Sequence, residues 1–248
     1  MKRAILWDFD GTLAFRAGLW SGCLLETLDE DEPGHEIRRD QLIPYLQNGF
    51  PWHRHEVEHP ELCDPAAWWQ HIEAILAAAY MGVGYGSDRA AELARLAHQR
   101  YLDISGWQLF PDTRPVLEQL HSAGWHHVIL SNHVPELPWI VQGLGLDDVI
   151  ERTLTSAVTG CEKPHPRAFA TALEAVGEAE RVWMVGDNVD ADVRGAEAVG
   201  IPAILVRSSA DNVVRQVMDL WAVIPIVEGD LQGATRPATR KKGEYDVK

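Results

Sequence analysis

Four short runs of aliphatic and β-branched residues end abruptly in polar residues or glycine: "AILWDFD" (4–10), "HHVILSN" (126–132), "RVWMVGDN" (181–188) and "AILVR" (203–207). Runs that are apolar on both faces suit parallel strands covered by helices on each side, and this constrains the fold more than anything else in the chain. Helical patterns separate them. "DTRPVLEQLHSAG" (112–124) places Val116, Leu117 and Leu120 on one stripe and closes on Gly124. "HPRAFATALEAVG" (165–177) repeats the design with Phe169, Leu173 and Val176, and "ADVRGAEAVG" (191–200) reads as a further short helix ending on glycine. Strand alternating with helix from about 110 to 207 predicts an α/β fold with a doubly wound, mostly parallel sheet.

Residues 15–105 break this rhythm. They read as helices ("LWSGCLLETL", "DPAAWWQHIEAILAAAYMG", "DRAAELARLAHQRYLD") joined by the loop "NGFPWHRHEVEHPELC". The expected division is an α/β core from residues 1–14 and 106–230, an inserted α-helical cap at 15–105, and a flexible polar tail at 231–248 whose basic run is Arg240, Lys241 and Lys242. The segment "DLWAVIPIV" (219–227) reads as a last strand or a helix-to-strand segment. Trp68 and Trp69 are neighbours about 100° apart on a helix, so one is expected in the core and the other at an interface or in solvent. His53, His55 and His59 do not follow a familiar zinc spacing and are read as a solvated cap loop, with Trp52 expected to face the active site and select the substrate.

A length of 248 residues accommodates one core domain with an insertion, and the net charge of −15 disfavours nucleic acid or an anionic membrane as partner. Cys23, Cys63 and Cys161 are widely separated, which suggests neither a disulfide framework nor a zinc knuckle and fits a reducing cytoplasm. No apolar stretch reaches membrane-spanning length, and Met1, Lys2 and Arg3 lead into a strand without a cleavage signature, so neither span nor secretion signal is expected. The sequence leaves the oligomeric state open.

In an open parallel sheet, ligands bind beyond the carboxyl ends of the strands. Asp8 and Asp10 end the first run, Ser131 and Asn132 the second, and Asp187 with Asp192 follows the third; Lys163 of "CEKPHP" precedes a helix. Each alone has a plain reading as a turn former, helix cap, strand-end hydroxyl or surface lysine; their order and spacing set them apart. Two carboxylates about 4 Å apart repel by roughly 4 kcal/mol at an effective dielectric near 20, so the group requires a cation. Oxygen donors favour Mg²⁺ over zinc, and a site with Mg²⁺, a lysine and a serine hydroxyl suits a phosphate. An aspartate nucleophile is already ionised at neutral pH, and a neighbouring acid can protonate a leaving alkoxide and later take a proton from water. Gly11 and Thr12 let the chain turn sharply away.

"DFDGT" (8–12), "LSN" (130–132), "KP" (163–164) and "GDNVDADVRGA" (186–196) resemble the four ordered motifs of the haloacid dehalogenase-like hydrolase superfamily, over residues 4 to about 207. The insertion falls where the subfamily with an α-helical cap carries it. The resemblance implies that Asp8 is the nucleophile, Asp10 the general acid/base, and Ser131 and Lys163 the phosphate ligands, with Thr12 and Asn132 in support. It implies Mg²⁺ held by Asp8, the Asp10 main-chain carbonyl and Asp187, with Asp192 ordering the metal's waters or Lys163. Ala191, His165 and Asn188 stand where the family often has Asn, an acid and serine, which bears on the surroundings of Asp187 and Lys163. The name-giving dehalogenases usually lack the second aspartate, so Asp10 points to phosphoryl transfer. The expected function is hydrolysis of a small phosphorylated metabolite through an aspartyl-phosphate. The alternatives are a phosphomutase and a non-catalytic binding protein on the same scaffold; no G-x-S-x-G elbow supports a serine hydrolase.

Overall fold

The four apolar runs are neighbouring strands of a single sheet. The computed structural model describes residues 2–229; the tail at 231–248 with Arg240, Lys241 and Lys242 lies outside the described residues. In chain order the strands are β1 (Arg3–Trp7), β2 (Ala14–Arg16), β3 (Trp107–Leu109), β4 (Trp125–Ser131), β5 (Ile150–Thr155), β6 (Arg181–Gly186), β7 (Ala203–Val206) and β8 (Gln216–Val217). Six of them form a sheet in the order β5-β4-β1-β6-β7-β8, and every pairing in it is parallel. Arg3 of β1 lies in register with Trp125 of β4 on one side and Arg181 of β6 on the other. From β1 the chain order runs outward in one direction through β4 and β5 and in the other through β6 and β7. The carboxyl ends of β1, β4 and β6 therefore flank a topological switch point.

Strand periodicity divides the core. Ile5 and Trp7 point to one face and pack with Val116, Leu117 and Leu120 of the helix Thr113–Ser122. Ala4 and Leu6 point to the other and pack with Ala168, Phe169 and Ala172 of the helix Pro166–Val176. Both faces are thus covered by helices, which explains the apolar runs.

The residues between β2 and β3 are helical: Leu19–Asp31, Arg39–Leu42, Pro65–Gly82 and Ser87–Leu102, with short 3₁₀ turns. Asp64 caps the third of these by accepting from the Ala67 N–H at 3.0 Å, with Pro65 at the first helical position. Its stripe of Trp68, Ile72, Leu76 and Ala79 is buried with Leu93, Ala94 and Ala97 of the next helix. β2 and β3 pair antiparallel where this segment leaves and rejoins the sheet, Ala14 opposite Leu109 and Arg16 opposite Trp107. At Gly106 the Arg16 guanidinium fills the space that a Cβ would take.

Several elements depart from the pattern reading. The segment 219–227 contributes no strand: Val223–Gly229 is helical, and the strand nearby is the two-residue β8. β5, at the sheet edge, carries exposed Glu151 and Arg152 between buried Ile150 and Thr155, and so lacks an apolar run. Residues Val189–Arg194 form a π-helical turn before a short α-helix at Gly195–Ala198, where one regular helix was expected. No helix among the described residues is long and apolar enough to cross a membrane.

Behind the turn that follows β1, the chain is pinned by Asp112 and Arg207. Arg207 Nε donates to the Thr12 carbonyl at 3.1 Å, while Asp112 accepts from the Arg207 guanidinium and from the Leu220 N–H at 2.7 Å. Burial opposes ionisation of Asp112, but these donors outweigh it and hold the carboxyl below the usual value. Its stabilisation is therefore complete above about pH 4 and fades as pH falls through the lowered folded-state value. Asp112→Asn is expected to lose about 1–3 kcal/mol in urea denaturation at pH 7, with the difference from wild type shrinking below pH ~3; an unchanged midpoint at pH 7 would show that the contact stabilises nothing.

Candidate active site

At the switch point, side chains from four separate stretches meet. Asp8 leaves the end of β1, and its Oδ1 accepts from the Ser131 hydroxyl at the end of β4 and from Lys163 Nζ, both at 2.8 Å. Lys163 Nζ also donates to Asp192 Oδ1 at 2.5 Å, and Asp192 Oδ2 accepts from the Asn188 N–H at 3.0 Å. Asn188 in turn caps the π-turn, its side chain accepting from the Asp190 and Ala191 N–H groups. Asp187 follows β6 directly and faces the turn at Gly11. That glycine has φ +75°, and a Cβ on it would sit 2.3 Å from Asp187 Oδ2, so both its backbone and its surroundings demand glycine.

The charges are held at close quarters. Asp8, Asp187 and Asp192 each bring a carboxylate oxygen within 4.8 Å of the others. Burial, then the Asp8 and Asp192 charges, push Asp187 up to about 7. Burial also lifts Asp192 to about 6, against the pull of Lys163. Lys163 is buried too, yet Asp192 and Asp8 outweigh the desolvation and keep its ammonium charged. One lysine does not balance three carboxylates, so this all-oxygen cluster fits a divalent hard cation as the missing counter-charge.

Asp10 sits differently. Among the described residues its carboxyl receives no hydrogen bond; Oδ1 is sealed from solvent without a partner, and His133 Nε2 lies 3.6 Å from Oδ2. Burial first, then the charges of Asp8 and Asp187, drive Asp10 well above the ordinary carboxylate value. The two aspartates of "DFD" thus occupy opposite environments, one supplied with donors and the other deprived of them.

These residues line a cavity of about 380 Å³ together with Leu19, Trp52 and His55 from the helical segment. Of the residues picked from sequence, Asp8, Asp10, Ser131, Asn132, Lys163, Asp187 and Asp192 line it, and Thr12 does not: Thr12 is fully buried behind the turn. Asn132 turns its amide to the Lys163 backbone, donating to the carbonyl at 2.9 Å and accepting from the N–H at 2.7 Å, so it braces the lysine's loop. The histidine loop is not uniformly solvated. His55 and Trp52 reach the cavity, whereas His59 is buried, its N–H bonded to the Gly160 carbonyl and its ring 3.8 Å from the buried Glu162. Trp68 and Trp69 are both buried, and Trp69 Nε1 donates to the Glu136 carboxylate beyond β4. His133, Glu136 and Glu162 have no signal in sequence, since a lone charged residue in a loop carries no spacing to read. A second grouping, Glu58, Cys161 and His165, has donors already engaged: Glu58 pairs with Arg167, and the His165 ring accepts from the Arg167 N–H.

A family model described as haloacid dehalogenase-like hydrolase matches residues 2–200. The chain is 33% identical over 146 residues to mouse haloacid dehalogenase-like hydrolase domain-containing protein 3, covering 56% of this chain and 58% of that protein. It is 27% identical over 223 residues to a ribulose-1,5-bisphosphate 5-phosphatase of Halopiger xanaduensis, covering 88% of this chain and 90% of that protein. The chain thus spans less than two thirds of the first relative's length and nearly all of the second's. Among solved structures, a 2-haloacid dehalogenase from Pseudomonas syringae pv. Tomato superposes with a TM-score of 0.64 at 25% identity, over 94% of this chain and all of that one.

The buried network predicts a cost for removing its cation. Lys163→Met leaves Asp8 and Asp192 facing each other uncompensated, and stability at pH 7 in the presence of chelator is expected to fall by about 3–5 kcal/mol in chemical denaturation. A loss under about 1 kcal/mol would mean that the carboxylates do not depend on Lys163.

Proposed function

Because the chain belongs to the haloacid dehalogenase-like hydrolases, we propose that it is a phosphatase of small phosphate monoesters, working through an aspartyl-phosphate on Asp8. The observation that carries this reading is the divided pair: Asp8 is supplied with donors by Ser131 and Lys163, whereas Asp10, two residues on, has none. A nucleophile and a proton carrier need such different settings.

In this reading Asp8 attacks phosphorus in line with the ester oxygen, and the P–O ester bond breaks as the new P–O bond forms. Asp10, kept protonated by its surroundings, gives its proton to the leaving oxygen and so releases an alcohol. The resulting carboxylate takes a proton from water, whose oxygen attacks phosphorus; the bond to Asp8 breaks, and inorganic phosphate departs. Ser131 and Lys163 hold the phosphoryl oxygens, Asn132 fixes the lysine's loop, and Asp192 keeps Nζ oriented. Asp8, Asp187 and the Asp10 main-chain carbonyl are assigned to Mg²⁺, which when bound offsets the negative charge shared by the carboxylates and the phosphate. A dehalogenase has no need of the Asp10 proton, since halide leaves as an anion.

The helical segment 15–105 is assigned the role of a cap, and the β2–β3 ladder that of its stem. By lining the cavity with Leu19, Trp52 and His55 it shapes the space for the leaving group and limits water during the first step. The relative that hydrolyses ribulose-1,5-bisphosphate supports a small phosphorylated metabolite as substrate class.

Hydrolysis of 4-nitrophenyl phosphate with excess Mg²⁺ tests the reading. Asp8→Asn is expected to lower kcat by about a thousandfold or more, and a chelator to abolish turnover reversibly; equal rates in mutant and wild type would remove Asp8 as nucleophile. Trp52→Ala and His55→Ala are expected to change relative kcat/KM values across a panel of phosphate esters by about tenfold, and a uniform scaling of all substrates would take the cap loop out of specificity.

A further inference from the structure

His133 follows Ser131 and Asn132 at the end of β4, and its side chain is fully buried. The ring is caged by aromatic side chains, with Trp107 centred 5.3 Å away, Phe9 meeting it edge-on at 5.5 Å and Tyr101 at 6.0 Å. Nε2 has no hydrogen-bond partner among the described residues. Asp10 Oδ1 is the other orphan here, and the two groups face each other at 3.6 Å from Nε2 to Oδ2. A buried polar group without a partner forfeits its hydration uncompensated, so two such groups side by side in a native core call for an explanation. Packing alone would favour an apolar ring at position 133. The Asp10 side chain is 23% exposed, and Asp10 lines the cavity, so the carboxyl reaches from the aromatic cage to the substrate space.

We propose that His133 is a positioning residue for Asp10: its Nε2 stands against Oδ2, the carboxyl oxygen that is not sealed from solvent, and fixes the direction in which that oxygen meets the ester oxygen of the substrate. The separation of 3.6 Å is longer than a hydrogen bond, and contacts of this kind tighten when substrate fills the site. The inference rests on Asp10 being the general acid of a phosphatase. It adds the residue that sets the direction of the proton.

The leaving group supplies the test. An alkyl phosphate releases a poor leaving group that needs a proton, whereas 4-nitrophenolate departs with little help. Single-turnover phosphoryl transfer from both esters is measured in wild type, His133→Phe, His133→Gln and Asp10→Asn, at saturating Mg²⁺. His133→Phe is expected to slow transfer from the alkyl ester by about thirtyfold and from the aryl ester by less than about threefold, with KM within about twofold for both. His133→Gln, whose amide N–H reaches the position of Nε2, is expected to recover the alkyl rate to within about threefold. Equal losses on the two esters, or an unchanged alkyl rate, would overturn the proposal. Should His133→Phe fail to fold, His133→Asn takes its place, its amide being too short to reach Asp10; Gln retaining the alkyl rate while Asn loses it supports the role, and equal behaviour of the two overturns it. Asp10→Asn separates the two layers. If it keeps the alkyl rate, the general-acid reading itself fails; if it loses that rate while the His133 variants do not, only the role of His133 fails.

Discussion

The ammonium of Lys163, buried between Asp8 and Asp192, is the contact around which the rest of the structure is arranged. A charged lysine tolerates burial only where carboxylates surround it, and carboxylates tolerate such crowding only where a cation stands among them. Each side of the arrangement therefore requires the other. The three residues come from the end of β1, the loop before the helix Pro166–Val176 and the π-turn after β6. To bring them together the sheet must place β1 at its centre, with β4 and β6 on either side. Asn132 clamps the lysine's backbone and Asn188 shapes the turn that carries Asp192, so two amides hold the geometry that the charges need.

The helical segment is fastened to this centre at several points. Trp69 donates to Glu136, His59 is buried against Glu162, and the His59 N–H bonds to the Gly160 carbonyl. Two of these contacts touch the stretch that carries Lys163, and the third touches the loop just after Asn132 and His133. The cavity wall and the charged floor are thus coupled through short lengths of chain. Trp69 also stacks on His98 at 3.5 Å between centroids, while the His98 ring pairs with Glu73 at 2.8 Å, which steadies the indole that reaches across.

Much of this was legible in the chain. β1, β4, β6 and β7 announce themselves because strands buried on both faces must be apolar along their whole length. Asp8, Ser131 and Asp187 could be picked because each follows such a run, at the edge where a parallel sheet binds ligands, and Lys163 by its place in the ordered motifs ahead of a helix. β5 was not legible, since Glu151 and Arg152 face solvent at the sheet edge and erase the apolar run. The helix Val223–Gly229 was read as partly strand because a short apolar stretch carries no period that separates the two. Asn132 and Thr12 were grouped with the phosphate ligands by adjacency in the motifs; in three dimensions one amide turns back to brace Lys163, and one hydroxyl is buried behind the turn.

His133 marks the limit of sequence reading most clearly. A single histidine beside a motif has no spacing, and its cage is assembled from Phe9, Tyr101 and Trp107, each distant from it along the chain. Local pattern determined which residues form strands and helices and which chemical types gather at the sheet's carboxyl edge, because periodicity and the abrupt ends of apolar runs are properties of neighbouring residues. Only the tertiary structure decided which aspartate receives donors and which is left without them, which histidines are buried, and which cap residues face the cavity. Burial and partnership are set by residues distant in sequence, and a carboxyl group's protonation follows from both.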